Sequence, residues 1–283
     1  MKRRIKDYSR GNPLGQLSIS INARGSAAFT SIELLVVIAV LAVLTAIWLP
    51  ALAQVKERDV RITCMNNEKQ LYTSLHIYSD DNGDQLPRLD GVGSWPWDVP
   101  SPITTAMLKN GCTQKTFYCP STAPRFTDQQ NWAEANSLWN YGGGSFSIIG
   151  YAFSFGGTSS KIALQYQNLI IRSEIHTTVA PPVAFMDDPE TRELLADVIL
   201  SQGNSLPASA ANNFTSIFSG FTQNGVSYPH LSAHVRTGGV PAGGNITYKD
   251  GHVQWRKFSA SSSSSAGNTS KVRTGGTAPY FWW

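Results

Sequence analysis

The chain has 283 residues, and 41% of them are hydrophobic, which is enough to build a packed core and excludes a disordered protein. Its formal net charge is +4 at pH 7, but this excess comes from the N-terminus. Six of the 23 Lys and Arg residues precede residue 29, against one of the 19 Asp and Glu residues, so the remainder carries 17 basic and 18 acidic residues. A nearly neutral remainder gives no support for a nucleic-acid partner.

An uncharged apolar segment follows the basic N-terminus. It covers residues 34–49, and three more apolar residues follow Pro50. A spanning helix needs about 20 apolar residues, so the segment predicts a single transmembrane helix. Basic residues lie before it and charges of both signs after it, which predicts a cytoplasmic N-terminus and an exported remainder. The alternative is a cleaved signal peptide, but no small-x-small site followed by a change of composition stands at its end.

Glu33 lies at the start of this segment, where an ionisable side chain costs about 3 kcal/mol or more in lipid and usually marks a function. The residues around it, 28–38, read AFTSIELLVVI. This stretch closely resembles the prepilin cleavage and methylation motif, in which a basic leader ends just before a Phe. The resemblance implies cleavage between Ala28 and Phe29 by a prepilin peptidase, methylation of the Phe29 amine, and a role for Glu33 in assembly.

Pro50 adds to the resemblance, because pilins often carry a proline at the corresponding position, where it takes part in the assembled helix. We expect Pro50 to kink the helix without ending it, since the bilayer and neighbouring helices hold both halves. Ala28 stands where the family usually has Gly, Ser31 stands where it usually has Leu, and the 28-residue leader is long. These departures imply slower processing at the same site.

The long helix is predicted to continue beyond the apolar segment to about Ser79. Apolar residues recur there at helical spacing, and the polar run at 80–84 contains a Gly that suits a helix end. The predicted organisation is a leader (1–28), a transmembrane or filament-core helix (29–53), its outer half (54–82), a head (83–258), and a Ser-rich link with an aromatic tail (259–283). The fold class is α+β and pilin-like, with the outer half of the helix packed on an antiparallel β-sheet.

Further elements are predicted in the head. Short strands are expected at 148–155, 162–171 and 183–186, and a helix at 189–201 with Pro and Glu near its first turn. Asp250-Gly251 between two apolar runs is a strong hairpin signal, because a type I′ turn needs positive φ at both central residues. The aromatic tail docks either on the head or on a neighbouring molecule, and the sequence leaves both open.

Three groups of residues stand out further along the chain: 61–67 with 70–71 and 78–83, then 117–121 with Cys-Pro-Ser, then 245–253 with Asp-Gly-His. Together they look like a large pilin-like family abundant in Planctomycetes and Verrucomicrobia. The resemblance implies a disulfide between Cys64 and Cys119, since both lie in family-like phrases and Cys112 does not. The cysteines by themselves also allow three free thiols, and they lack the spacing of a zinc site.

Two groups of polar residues are candidate metal sites. Asp250 and His252, with His230 and His234 nearby in sequence, have the side chains of a divalent metal site. The alternative is a turn residue with histidines in ordinary hydrogen bonds. Asp80 and Asp81, with Asn82 and Asp84, are rich in oxygen and could attract calcium. The alternative is a solvated helix end, and no cofactor is expected.

The resemblance implies a structural subunit of a type II secretion pseudopilus or a type IV pilus. Its partners would be a prepilin peptidase, other pilin-like subunits and an inner-membrane assembly platform. The protein would cross the inner membrane once and place its head in the periplasm. No catalytic motif is found in the sequence, so no enzyme activity is expected. One alternative is a minor pilin or adhesin whose tryptophans bind a ligand, and another is a membrane-tethered hydrolase.

Overall fold

A computed structural model of the chain describes residues 29–89, 93, 95–122, 126–154, 192–203, 212–223, 225–258 and 279–282, without the side chains of 49–54, 218, 219, 221, 223 and 226. The predicted leader, the Ser-rich link, and the strands expected at 162–171 and 183–186 lie outside these residues. The chain forms two compact units, Met1–Leu52 and Ala53–Trp283.

Helix α1 covers Ser31–Asp81 and continues through Pro50, as the apolar pattern predicts. It ends where the sequence changes to polar turn formers. Gly83 and Asp84 both have positive φ, and the Asp84 N–H donates to the Ser79 carbonyl at 2.8 Å. Positive φ just after the last turn is a standard way to end a helix, and it explains the glycine at this position.

The head is α+β, and its strands pair in antiparallel fashion throughout the described residues. Its main sheet has four strands in the order β3-β4-β8-β9. Three further two-stranded pairs are β1 with β2, β5 with β10, and β6 with β7. The strands within the described residues are β1 Asp98–Pro100, β2 Phe146–Ile148, β3 Tyr151–Phe153, β4 Glu193–Asp197, β5 Ile199–Ser201, β6 Ile217–Gln223, β7 Val226–His230, β8 Gly243–Tyr248, β9 Val253–Lys257 and β10 Tyr280–Trp282.

Short helical segments connect these strands. Helix α2 covers Ser101–Lys109, and Tyr141–Gly144 forms a short turn in which Gly142 and Gly143 have positive, non-helical φ. Single turns lie at Gln114–Phe117, Pro120–Thr122, Gln129–Ala133 and Leu138–Asn140. The turn at Pro120–Thr122 matters for the site, because it follows Cys119 directly.

The core of the head forms where the outer half of α1 meets the strands. Cys64, Leu71 and Leu75 are fully buried there, among aromatic residues that include Phe117 and Tyr151. Steps of three, four and seven residues place such side chains on one face of a helix, so the outer half buries a single stripe. The predicted packing of this half of the helix against a β-rich head is therefore present.

The predicted helix at 189–201 is wrong, because its described part forms strands β4 and β5. Leu194 and Leu195 are adjacent in sequence, and each is at most 1% exposed. A strand that is buried on both faces reads as a continuous apolar run, which sequence periodicity cannot separate from a buried helix. Pairing of β4 with β3 and β8 decides the outcome.

The predicted hairpin is present between β8 and β9, but its turn differs from the predicted type I′. Gly251 has a φ of +88°, whereas Asp250 does not have positive φ. The Gly251 N–H donates to the Tyr248 carbonyl, and the Tyr248 N–H donates to the His252 carbonyl. These bonds close a three-residue loop with a bulge at Gly251. A Cβ on Gly251 would lie 2.5 Å from the Tyr72 ring, so helix α1 also requires glycine here.

The aromatic tail docks on the head. Strand β10 pairs with β5, and both Phe281 and Trp282 are fully buried. The Trp282 indole N–H donates to Ser201 Oγ at 2.7 Å. Trp282 also packs with Phe214 and Phe258 in a small second core. Of the two alternatives that the sequence left open, the structure shows the intramolecular one.

Candidate functional site

Two features of α1 are candidates for function, and the first is its N-terminus. The Thr30 N–H and hydroxyl both donate to Glu33 Oε2, at 2.8 and 2.7 Å. The Glu33 N–H donates back to Thr30 Oγ1 at 3.3 Å. These reciprocal contacts form a capping box, which satisfies donors that the first turn of a helix leaves unpaired. Glu33 is thus engaged by its own chain, a local role that the sequence analysis did not foresee.

The helix that follows this cap is apolar and bare. Ser31–Trp48 has a mean hydropathy of 2.5, and none of this window is buried in the protein. Leu34, Leu41 and Ile47 are 58%, 54% and 65% exposed. By length and composition, this segment is able to cross a membrane. It is the single helix with that property in the part of the chain that the structure describes.

The second feature is a buried polar cluster under the outer half of α1, which consists of Glu68, Asp197, His234 and Asn245, with the partly exposed Glu57 at its edge. Asp197 lies at its centre. Asp197 Oδ2 accepts from the backbone N–H of Asn245 at 2.7 Å, from its amide at 3.0 Å, and lies 3.2 Å from His234 Nε2. The Asn245 amide also reaches the Arg61 carbonyl at 3.3 Å, so the cluster ties the helix to strands β4 and β8.

His234 links three parts of this cluster. Its side chain is fully buried, with Nε2 on Asp197, Nδ1 3.6 Å from Glu57 Oε1, and its ring edge-on to Trp255. Burial by itself lowers the pKa of His234, but the charge of Asp197, its contact with Nε2 and the nearby Glu57 carboxylate outweigh burial and raise the pKa to about 9. The imidazole is therefore charged at neutral pH, held between two carboxylates.

Glu68 is fully buried beside this charge arrangement. Thr247 Oγ1 donates to Glu68 Oε2 at 2.7 Å. Burial, together with the charge of Asp197, holds the pKa of Glu68 well above its usual value, against smaller opposing effects of hydrogen bonds from Thr247 and the Asp197 backbone. Burial also raises the pKa of Tyr151 well above its usual value, and its hydroxyl accepts from the Asn67 amide at 3.1 Å. The cluster thus favours a neutral Glu68 next to an ion pair.

A disulfide borders the cluster. Cys64 on α1 is bonded to Cys119, with Cα atoms 5.4 Å apart, which is the pairing that the family resemblance implied. Cys119 Sγ also lies 3.6 Å from His234 Nε2 and 3.0 Å from Ser121 Oγ. Cys112 is a buried free thiol, and burial raises its pKa. The disulfide and the polar cluster therefore fasten the same stretch of helix to the head.

The predicted metal site around Asp250 and His252 is not assembled. His252 Nδ1 lies 2.6 Å from Asp250 Oδ1 on an exposed turn, and its ring stacks on Tyr248. His230 instead packs edge-on against tryptophans, and His234 belongs to the buried cluster. These histidines lie close together along the chain, but sheet topology places them in three different surroundings.

The acidic run at 80–84 ends α1. Asp80 lies 3.2 Å from His76 Nδ1, and the Asn82 amide donates to the Tyr78 carbonyl. Neither Asp80 nor Asp81 belongs to a close group of three or more metal-ligating side chains among the described residues. The interpretation of this run as a helix end agrees with these contacts.

Glu57, Glu68 and Asp197 were not predicted as site residues from the sequence. A signal was present for Glu68, because it lies at helical spacing between Cys64 and Leu71, where a charged residue interrupts an apolar stripe. No comparable signal existed for Asp197, which a wrong helix prediction had covered. Its role depends on strand pairing between distant parts of the chain.

Comparisons with known proteins add no family to these observations. A scan against protein-family models, a search of curated proteins and a search of solved structures each found no match to this chain. The function is therefore inferred from the residues and their geometry alone.

Proposed function

We propose that this protein is a pilin-like structural subunit, made with a leader of 28 residues, anchored by the inner half of α1 and assembled into a filament. The observation that carries the proposal is the uncovered apolar segment Ser31–Trp48, none of which is buried in the chain itself. So large an apolar surface must be covered by lipid or by other molecules. A subunit that moves from a bilayer into a filament core uses both kinds of cover.

The residues at the start of α1 supply the second part of the argument. The AFTSIELLVVI stretch resembles the site that a prepilin peptidase recognises, with Ala28 in place of the usual Gly and Ser31 in place of the usual Leu, and an acidic residue follows closely after the proposed new N-terminus. In the filament, the Glu33 carboxylate would pair with the Phe29 amine of an adjacent subunit, which neutralises two charges where water is scarce. Such a pair would set the axial register between subunits.

The head fits a structural role better than the adhesin alternative. No described tryptophan of the head is exposed, and Trp97, Trp139 and Trp282 are at most 9% exposed. An adhesin that stacks its ligand on aromatic rings needs such rings at the surface. The hydrolase alternative has perturbed groups in Glu68 and His234, but both are at most 2% exposed, so a substrate has no access to them in this conformation.

Processing is the first test. The full chain is expressed with a prepilin peptidase and extracted from membranes, and its N-terminus is read by mass spectrometry. We expect a mature chain that begins at a methylated Phe29. An intact Met1, or cleavage after residue 50, would end the prepilin proposal.

The capping box allows a sharper test of Glu33. Glu33→Val removes both the charge and the cap, whereas Glu33→Gln removes the charge and keeps a side chain that suits the same cap position. If Glu33 pairs with the Phe29 amine, both variants are cleaved and stay in the membrane, yet neither yields filaments. Normal filament yield for Glu33→Gln would show that Glu33 acts only within its own helix.

A further inference from the structure

Four side chains with metal-binding atoms converge at one point of the head. Cys64 comes from α1, Cys119 from the segment before Pro120–Thr122, Asp197 from β4, and His234 from the loop before β8. One ligand atom from each lies within 4.8 Å of the others, and each residue is at most 2% exposed. This is the single close group of three or more His, Cys, Asp or Glu residues in the described parts of the chain.

Two separations between these atoms match a tetrahedral zinc site, and a third does not. With Zn–S of about 2.3 Å and Zn–N and Zn–O of about 2.0–2.1 Å, neighbouring N and S ligands lie about 3.5 Å apart and N and O ligands about 3.3 Å apart. His234 Nε2 lies 3.6 Å from Cys119 Sγ and 3.2 Å from Asp197 Oδ2. The exception is the pair of sulfur atoms, which are bonded to each other.

The atoms around this point are also placed as the surroundings of a metal would be. Asp197 Oδ1 is fully buried and has no hydrogen-bond partner among the described residues, while Oδ2 is held by Asn245. His234 Nδ1 also lacks a hydrogen-bond partner there, and faces the Glu57 carboxylate at 3.6 Å. A carboxylate behind the second ring nitrogen is the usual arrangement of a histidine that binds zinc.

We propose that reduction of the Cys64–Cys119 bond converts this cluster into a Zn²⁺ site, with two thiolates, His234 Nε2 and one Asp197 oxygen as ligands. A dithiol reductant supplies two electrons and two protons to the disulfide, and is itself oxidised to a disulfide. Zn²⁺ then displaces the two thiol protons and the proton on Nε2. The disulfide and the metal are therefore alternative crosslinks between the same part of α1 and the head.

The ligand set favours zinc over other divalent cations. Thiolates with one imidazole select borderline-soft metals, whereas calcium and magnesium take oxygen ligands only. Both crosslinks join α1 to Cys119. The metal also joins α1 to β4 and to the loop before β8. A chain that has not been oxidised would thus still hold its helix on the head.

The test uses the full chain in detergent micelles, under anaerobic conditions, with Co²⁺ as a coloured probe and Zn²⁺ as its competitor. After reduction with a phosphine, we expect one Co²⁺ per chain, with a thiolate charge-transfer band and tetrahedral ligand-field bands that Zn²⁺ removes. The oxidised chain should show neither band. Since filament assembly is not measured, failure here leaves the proposed function untouched.

Variants decide whether the cluster is the site. His234→Ala and Asp197→Asn should each abolish the Co²⁺ bands that the reduced chain shows at one Co²⁺ per chain. Glu57→Gln should weaken Co²⁺ binding about 10-fold, because His234 loses the carboxylate that supports it. Cys112→Ser and His252→Ala, which lie outside the cluster, should bind as the unaltered chain does.

Three results would overturn the proposal: no bands in the reduced folded chain, equal binding by the oxidised chain, or bands that survive His234→Ala. Because reduction removes a crosslink from the head, near-ultraviolet circular dichroism is recorded in parallel to follow its folding. A reduced chain that regains its signal on addition of Zn²⁺ supports the proposal, and one that stays unfolded with Zn²⁺ contradicts it.

Discussion

The two halves of helix α1 have the same backbone structure and opposite surroundings. Between Ser31 and Trp48 the described side chains are exposed, and the sequence is apolar on every side. From Cys64 to Leu75 a single stripe is fully buried against the head, and mostly polar residues occupy the other positions. The comparison shows that the outer half is stabilised by its own chain, whereas the inner half depends on whatever covers it.

The largest expected effect tests this difference with one residue type. Leu71→Ala should lower the free energy of unfolding of the head by about 2–5 kcal/mol, because it leaves a cavity in the core. Leu41→Ala should change it by less than about 0.5 kcal/mol, since Leu41 is 54% exposed. Urea unfolding of the full chain in detergent, followed by near-ultraviolet circular dichroism, measures both. Equal effects of the two changes would contradict the division of the helix.

The disulfide should give the next largest effect. Replacing both Cys64 and Cys119 with Ala should cost about 2–4 kcal/mol, because the bond closes a separation of 55 residues in the unfolded chain. Cys112→Ala serves as the control, since Cys112 is a buried thiol outside the bond. The same unfolding assay, without reductant, compares the two. A control that loses as much as the double variant would show that only packing is being measured.

Whether the sequence predicts a structural feature depends on how far apart along the chain the residues that determine it lie. The start and end of α1 could be predicted from the sequence, because the apolar run, Glu33 and the glycine at 83 act over a few residues. The disulfide could be predicted only from the family-like phrases around Cys64 and Cys119, since three cysteines alone do not fix a pairing.

The buried polar cluster could not be predicted from the sequence in the same way. Its members come from α1, β4, β8 and the loop before β8, so they meet only once the sheet has formed. Strand β4 was predicted as a helix, and because of this error Asp197 was not recognised as a site residue. Local propensity decides little in a strand whose two faces are both buried, because pairing and packing dominate there.

A smaller effect concerns the charge within the cluster of the oxidised chain. Asp197 and Glu57 raise the pKa of His234 to about 9 against the opposing effect of burial, while an unfolded histidine has a pKa of about 6.5. Because the folded value is the higher one, this stabilisation is complete below pH 6.5 and is lost as the pH rises to 9. The loss is at most about 3 kcal/mol.

Unfolding free energies at pH 6 and pH 9 measure this loss. His234→Gln should reduce the difference between the two pH values, although it also lowers stability at pH 6. His252→Gln is the comparison variant, because His252 lies outside the cluster and its side chain is 44% exposed on the hairpin turn. If His234→Gln retains the full difference, another group is responsible for it.

The smallest expected effect lies at the edge of the outer half, where Arg61 covers the cluster. Its guanidinium carbon lies 4.0 Å from the centre of the Trp255 ring, and its Nε lies 3.0 Å from Glu57 Oε1. Arg61→Lys keeps the charge but loses the planar group that stacks on the ring, which should cost about 0.5–1 kcal/mol. Arg58→Lys, on an exposed position of the same helix, should be neutral in the urea assay. Since the Trp255 ring also meets His234 edge-on, a looser ring should lower the loss of stability between pH 6 and pH 9 as well. An Arg61→Lys chain that matches Arg58→Lys in both measurements would mean that the cluster is held from within the head, without help from this face of the helix.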